Sequence, residues 1–353
     1  MMKLAAKGIR ADFRPDLGLL EGFIVTDGGI GIAPLHRAPW VGSGEAMPAD
    51  AAPFMARLGG DFFCAPFAES EGDSPLHGWP PNSAWSVLDK DRHRVRAELR
   101  QSVHGARLIK ELTLRDGHPF VYQRHIFHGG RGCVTVANHA NVSVKNGALI
   151  RTSPKLRWET PVTPQESDSE RGRSGLVYPA QADDPRNFPG VDGAVDLTEY
   201  PWNPRHEDFV VGIEAQCHAL GWVAVTRTVE CDLYLSLKNP MSVPMSMFWH
   251  SNGGRDYAPW SGRHVGCLGV EEGAAKHMLG LSGEESLTGP GALTLEPGGI
   301  AEVRHVIGAM AWPTAQPVAD IQIEGESLIV SGEAGAKRTV PIDPDFLQLE
   351  DGQ

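Results

Sequence analysis

Glycine and proline interrupt this chain so often that a helix of ordinary length has almost nowhere to form. The 353 residues include 41 Gly and 27 Pro, nearly a fifth of the total, and they are spread from end to end. Breakers at intervals of about ten residues are the punctuation of short strands joined by turns. The segments between them alternate with period two. "RVRAELR" sets Val95, Ala97 and Leu99 on one face and Arg94, Arg96, Glu98 and Arg100 on the other. "ECDLYLSL" opposes Cys231, Leu233, Leu235 and Leu237 to Glu230, Asp232, Tyr234 and Ser236, and "DIQIEGESLIV" reads as two strands meeting at Glu324–Gly325. No segment sustains helical spacing over three turns. The expected class is all-β, large and antiparallel, and strands this numerous must pack as two sheets or close.

Strand-like sequence of one character runs through residues 1–343, so a single sandwich domain is expected. A charged Gly/Pro/Asp-rich stretch at about 163–203 forms an excursion over one rim, and residues 344–353 form a frayed tail. The formal charge of −12 is dispersed, with no basic stripe to neutralise phosphates, which argues against a nucleic-acid partner. No apolar run nears the roughly 18 residues of a membrane helix, and the opening "MMKLAAKGIRADFRPD" is not a secretory leader. Five cysteines, Cys64, Cys133, Cys217, Cys231 and Cys267, are scattered without a CxxC, as expected of a reduced, cytoplasmic protein. Oligomeric state is not written in the sequence.

Three constellations carry possible chemistry. "LHGWPPNSAW" puts His77 and Gly78 at a sharp bend just after "LGGDFFCAPF". In "VTVANHANVSV", His139 interrupts an apolar, β-branched run, where it is either a satisfied structural group or the wall of a cleft. The stretch 247–273 crowds Trp249, Trp260, Arg255, Arg263, two histidines and several acids together. Within "HVGCLGVEEG", alternation places Cys267, Gly269 and Glu271 on one face. Glu271 and Glu272 therefore point apart, Glu271 toward a cleft and Glu272 at the strand's end. His125 and His128 in "RHIFH" cannot share a metal ion, because residues three apart on a strand face opposite sides.

The order of these motifs, from about Leu17 to Gly273, resembles the aldose 1-epimerase (galactose mutarotase-like) superfamily. The resemblance implies a β-supersandwich that opens and recloses a cyclic sugar by acid/base chemistry, without nucleotide, flavin or metal. By position it implies Glu271 as base, His139 as acid and His77 as a further hydrogen-bonding partner. Asn252, Arg255, Asp256, Asp208 and His206 are candidate hydroxyl or anion partners, and Trp249 or Trp260 a flat surface for a sugar ring. "PWNPRHEDF" is expected to form a cleft wall or lid. Two departures bear on substrate. Small residues follow His139, and Asn82 stands where sugar-phosphate relatives carry an arginine, which disfavours a phosphorylated hexose. A uronate lyase or isomerase, and a non-catalytic sugar-binding protein, remain as alternative functions on this fold.

Overall fold

Period-two burial organises the chain into two large antiparallel sheets. The structure is a computed structural model that describes residues 1–282, 287, 289–312 and 315–348. Among them, one eleven-stranded sheet runs Met2–Ala6, Ile9–Arg14, Leu19–Asp27, Asp61–Cys64, Val136–Ser143, Cys267–Ala274, Met245–Asn252, His206–Glu214, Lys155–Glu159 and Gln181–Ala182, with Ile30–Ile32 paired to Leu19–Asp27. A nine-stranded sheet faces it, centred on Gly221–Arg227, Asp232–Lys238, Ile300–Ala311, Phe120–Gly129 and Ala106–Leu114. Among the described residues, helical structure is confined to short 3-10 turns such as Pro53–Arg57 and Lys276–Met278. The all-β expectation therefore holds.

Three apolar clusters divide the interior. Between the sheets lie Phe13, Phe63, Val142, Phe248 and Leu268 from the first sheet and Val95, Leu108, Phe127, Val223 and Ile307 from the second. A second cluster covers the outer face of the first sheet with Phe62, Phe209, Met245, Met247, Trp249 and Trp260. A third joins the outer face of the second sheet to the strands Val318–Glu324, Ser327–Gly332 and Lys337–Pro341. Both faces of the central strands are thus covered, which explains their near-continuous burial. The Asp232–Lys238 strand shows it: Leu233, Leu235 and Leu237 enter the third cluster and Tyr234 the first. The face expected to be polar is as deeply buried as its partner.

The "DIQIEGESLIV" hairpin forms as expected, Glu324 pairing Ser327 across a turn in which Gly325 takes φ +56°. The tail expectation is corrected in part. Pro344–Leu347 forms a 3-10 turn capped by the Asp343 side chain, because Leu347 is apolar and inserts into the third cluster. The remainder of that tail, 349–353, lies outside the described residues. The 163–203 stretch contains Gln181–Ala182, Phe188–Gly190, Gly193–Val195 and Glu199–Tyr200. Leu176, Phe188, Leu197 and Tyr200 from this stretch join the main core.

The bend at His77–Gly78 is built by its neighbours. Asn82 Nδ2 donates to the carbonyls of Leu76 (2.8 Å) and Gly78 (2.6 Å), and its Oδ1 accepts from the Phe54 amide (3.1 Å). Asn82 therefore clamps this turn to the Pro53–Arg57 segment. Both His77 (φ +70°) and Gly78 (φ +72°) sit in the left-handed region, and a Cβ on Gly78 would lie 2.0 Å from the Ala65 carbonyl oxygen. Gly117 has a similar φ of +80° but open space around it. Gly117→Ala is expected to cost about 1–2 kcal/mol, the left-handed penalty alone, whereas Gly78→Ala should cost upwards of about 4 kcal/mol because backbone must move. Urea unfolding of both variants checks the contrast.

Candidate active site

Alternation decides which side chains meet on the outer face of the first sheet. His139 pairs in register with Glu271 on one side and Phe62 on the other. Side chains of one parity, His139, Glu271, Trp249, Glu207 and Phe209, rise on that face. Their neighbours Asn138, Glu272, Phe248 and Asp208 turn to the sandwich interior. Gly269 keeps the space clear, since a Cβ there would sit 2.7 Å from Glu271 Oε1 and 2.9 Å from Trp249 Cβ.

A cavity of about 370 Å³ opens over this patch. Its polar wall is His77, His139, Glu271, Arg255, Gln165 and Tyr257. Its apolar wall includes Phe54, Phe67, Phe209, Trp249 and Trp260. That volume matches the small-ligand range. His139 Nε2 lies 3.1 Å from Glu271 Oε1, with both residues almost fully buried. The Phe62 ring stacks on His139 at 4.5 Å, and the His77 ring meets it edge-on at 5.5 Å. His139 Nδ1 and Glu271 Oε2 are buried without a hydrogen-bond partner. Buried polar atoms are rarely left so, and these two belong to residues lining one hollow.

Electrostatics push both members of the pair toward their uncharged forms. Burial lifts the Glu271 carboxyl well above the ordinary carboxylate range. Burial, then the neighbouring His77, hold the His139 imidazole well below its usual value. Around neutral pH the pair therefore holds one proton between two basic atoms 3.1 Å apart. His77 is neutral too, pushed down to about 3 by burial. Its Nδ1 accepts from the Ala68 amide (3.2 Å), which places the ring proton on Nε2 and makes that edge a donor.

Arg255 stands across the cavity, its guanidinium 4.4 Å over the Trp260 ring and 3.1 Å from Glu207 Oε1. Glu207 also accepts from Trp249 Nε1 and from Ser251 Oγ (2.9 Å), so it fixes both a cation and an aromatic wall. The 253–266 loop carrying Arg255, Tyr257 and Trp260 is tied to the excursion. Arg171 lies 4.2 Å over the Tyr257 ring, and Arg173 and Arg205 both pair with Asp256.

Of the ten residues singled out in the sequence, the structure brings His77, His139, Glu271, Arg255, Trp249 and Trp260 into one cavity. The other four lie elsewhere. His206 and Asp208 have the interior parity of their strand: Asp208 accepts from the Gly175 and Leu176 amides, Tyr178 and His206. Asn252 also has interior parity. It binds the Asn203 and Pro204 carbonyls and the Gly266 amide, closing the loop. Asp256 is consumed by its two arginines at the rim. Arg263 pairs with Glu45 outside the cavity, and Trp202 packs on His206 and His250 rather than forming a lid. Glu272 does not end its strand, which continues to Ala274; it is buried against Lys238, Ser236 and Ser246.

Sequence reasoning missed Glu207, Phe209, Tyr257, Gln165 and the Phe54–Leu58 wall. Parity could have found the first two, since they alternate with the residues chosen from the same strand.

No family model matches the chain, and no curated protein sequence matches it either. Solved structures do. A proposed aldose 1-epimerase of Escherichia coli K12 superposes with a TM-score of 0.60 at 12% identity, over 88% of this chain and 98% of that one. A galactose mutarotase related enzyme of Lactobacillus acidophilus gives 0.52 at 10% identity, over 88% and 97%. A TPR-domain containing protein of Parabacteroides distasonis gives 0.57 at 12% identity, over 92% of this chain and 48% of that one. The chain thus has the galactose mutarotase-like β-sandwich fold.

A stability test probes the buried carboxyl. Below about pH 4 native and unfolded chains both hold its proton. As pH rises the unfolded chain ionises first, and the native state loses stability until its own raised pKa is passed. Glu271→Gln removes this loss, so the variant's urea midpoint should exceed that of the natural protein by more at about pH 8 than at about pH 4. Equal differences at both pH values would show that Glu271 is not buried as a raised-pKa acid.

Proposed function

We propose that this protein is a carbohydrate mutarotase, interconverting the anomers of an aldose or sugar acid by opening and reclosing its ring. One observation carries the reading: a buried carboxyl and imidazole, 3.1 Å apart with a proton to share, line a sugar-sized hollow. Ring opening needs a proton removed from the anomeric hydroxyl and one delivered to the ring oxygen. Glu271 takes the first as its own proton passes across the 3.1 Å contact to His139, and C1 and its oxygen form a carbonyl. The electrons of the C1–O5 bond pass to O5, which His139 protonates. The aldehyde end rotates, and the reverse transfers close the ring on either face. Reclosure restores the proton on each group, so the cycle needs no exchange with water. His77 donates from Nε2 to a neighbouring sugar oxygen. Trp249 and Trp260 offer flat apolar surfaces to the C–H face of the ring, burying it from water.

Arg255 adds a preference for sugars bearing a carboxylate. It is the arginine among the cavity's walls, held in place by Glu207 and Trp260, and its Nε is buried without a partner. A uronic acid therefore heads the substrate panel, ahead of neutral hexoses.

NMR exchange spectroscopy or polarimetry on purified protein should show accelerated α/β interconversion of at least one such sugar. Glu271→Gln and His139→Phe should each lower kcat by roughly 10²–10⁴-fold while sugar still binds. Binding by calorimetry with no acceleration across the panel would replace the enzymatic reading with a sugar-binding one. A product absorbing in the near ultraviolet would indicate elimination from a uronate instead.

The pH profile follows from the shared proton. The working state has one proton on the pair, and it is lost only when the depressed imidazole gains a second proton or the raised carboxyl loses its own. Turnover should therefore show no inflection at the free-histidine value near 6.5. A rate that tracks a single group near 6.5 would contradict the coupled pair.

A further inference from the structure

His36, His264 and Cys267 meet below the Trp249 wall, outside the cavity, and the sugar chemistry uses none of them. All three are buried, at 3%, 1% and 0% exposure. One donor atom of each lies within 4.8 Å of the other two. They arrive from three different parts of the chain. His36 lies between the bridges Leu35–Val142 and Arg37–Gly59, His264 ends the 253–266 loop, and Cys267 begins the Glu271 strand.

The hydrogen bonds around them leave donors aimed at nothing. Both ring nitrogens of His36 and Nε2 of His264 are buried and unpartnered. For His264 the tautomer follows from its neighbours. Ser251 has a single hydroxyl proton and gives it to Glu207 Oε2 (2.9 Å), so Ser251 Oγ accepts from His264 Nδ1 at 2.7 Å. Nε2 then carries a bare lone pair. This is the arrangement that orients metal-binding imidazoles: one nitrogen is held by a hydrogen-bonded carboxylate chain and the other is free to ligate. The Cys267 sulfur has one weak contact, 3.8 Å to Asn141 Oδ1.

We propose that His36, His264 and Cys267 form a binding site for a zinc-class dication, which pins the 253–266 loop and the His36 segment to the Glu271 strand. Two imidazoles and a thiolate suit a borderline-soft cation. Bond lengths of about 2.0–2.3 Å put tetrahedral donors roughly 3.5 Å apart, so the three close by about an ångström when the ion enters. Asn141 Oδ1 lies 3.8 Å from the Cys267 sulfur. On binding, the Cys267 S–H bond is lost, the sulfur lone pair goes to the metal, and one proton passes to solvent. The thiolate offsets one charge of the dication; Lys145 and Arg255 act on the two rings as cations, and Arg255 is itself paired with Glu207. Because the pinned loop carries Arg255, Tyr257 and Trp260, the ion would act on the cavity by positioning, without touching the sugar.

Cobalt(II) titration of the chelator-treated, reduced protein tests this. One equivalent should bind with a thiolate-to-cobalt charge-transfer band in the near ultraviolet, zinc(II) should displace it, and binding should release one proton. Replacing the three exposed cysteines together, Cys133→Ala, Cys217→Ala and Cys231→Ala, should leave the band intact, whereas Cys267→Ser should abolish it. His36→Asn and His264→Asn should each weaken zinc(II) binding by at least about a hundredfold. Should any buried-site variant fail to fold, X-ray absorption on the zinc-loaded natural protein still decides, with one sulfur and two imidazoles expected in the first shell. No stoichiometric cobalt(II) binding, a band lost with the exposed cysteines, or a shell lacking sulfur would overturn the proposal. None of these readouts depends on sugar turnover.

Discussion

The cross-strand contact between His139 and Glu271 is the constraint around which the rest of the site is arranged. It exists because two neighbouring strands, Val136–Ser143 and Cys267–Ala274, pair in one register. A slip of one residue would turn both side chains into the apolar interior and bring Asn138 and Glu272 out instead. Apolar residues of the opposite parity, Val136, Ala140, Val142, Leu268 and Val270, lock that register from the other side of the sheet. The functional face is thus held by residues that never see it.

Buried charge on the interior side reinforces the same strands. Glu214 is 2.9 Å from Lys155 and 3.0 Å from Lys238, and Lys238 also pairs with Glu272. Removing one member would strand another charge without water, so the network penalises alternative packings more than it adds net stability. On the cavity side, Glu207 does comparable work at the loop, joining Arg255, Trp249 and Ser251. Neither acid is catalytic in the proposed reaction. Each decides where another group stands.

The sequence made the site only partly legible, and the limit was geometric. His77, His139 and Glu271 stood out as polar residues in apolar strands or at a sharp turn, and the order of their motifs, through its resemblance to the aldose 1-epimerase superfamily, singled them out. The aromatic and arginine neighbours followed from local crowding. His206, Asp208 and Asn252 were chosen by the same chemical criterion and lie on the wrong face, since a strand inverts every second side chain. Glu207 and Phe209 were overlooked for the same reason. The Phe54–Leu58 wall was beyond reach, because it meets the sheet through long-range packing on Phe62 and through the Asn82 clamp, which joins segments 28 residues apart.

What the sequence determined alone was class and parity. Frequent glycine and proline excluded long helices, alternation required sheets, and adjacent acids at 271 and 272 had to point apart. These are local consequences of backbone geometry, and a single segment contains them. Tertiary structure decided which strands became neighbours, and hence that residues 132 positions apart in sequence, His139 and Glu271, meet 3.1 Å apart. It also brought His36, His264 and Cys267 within reach of one another. Strand order is a property of the whole packed molecule, set by the joint burial of two sheet faces, and no local pattern encodes it.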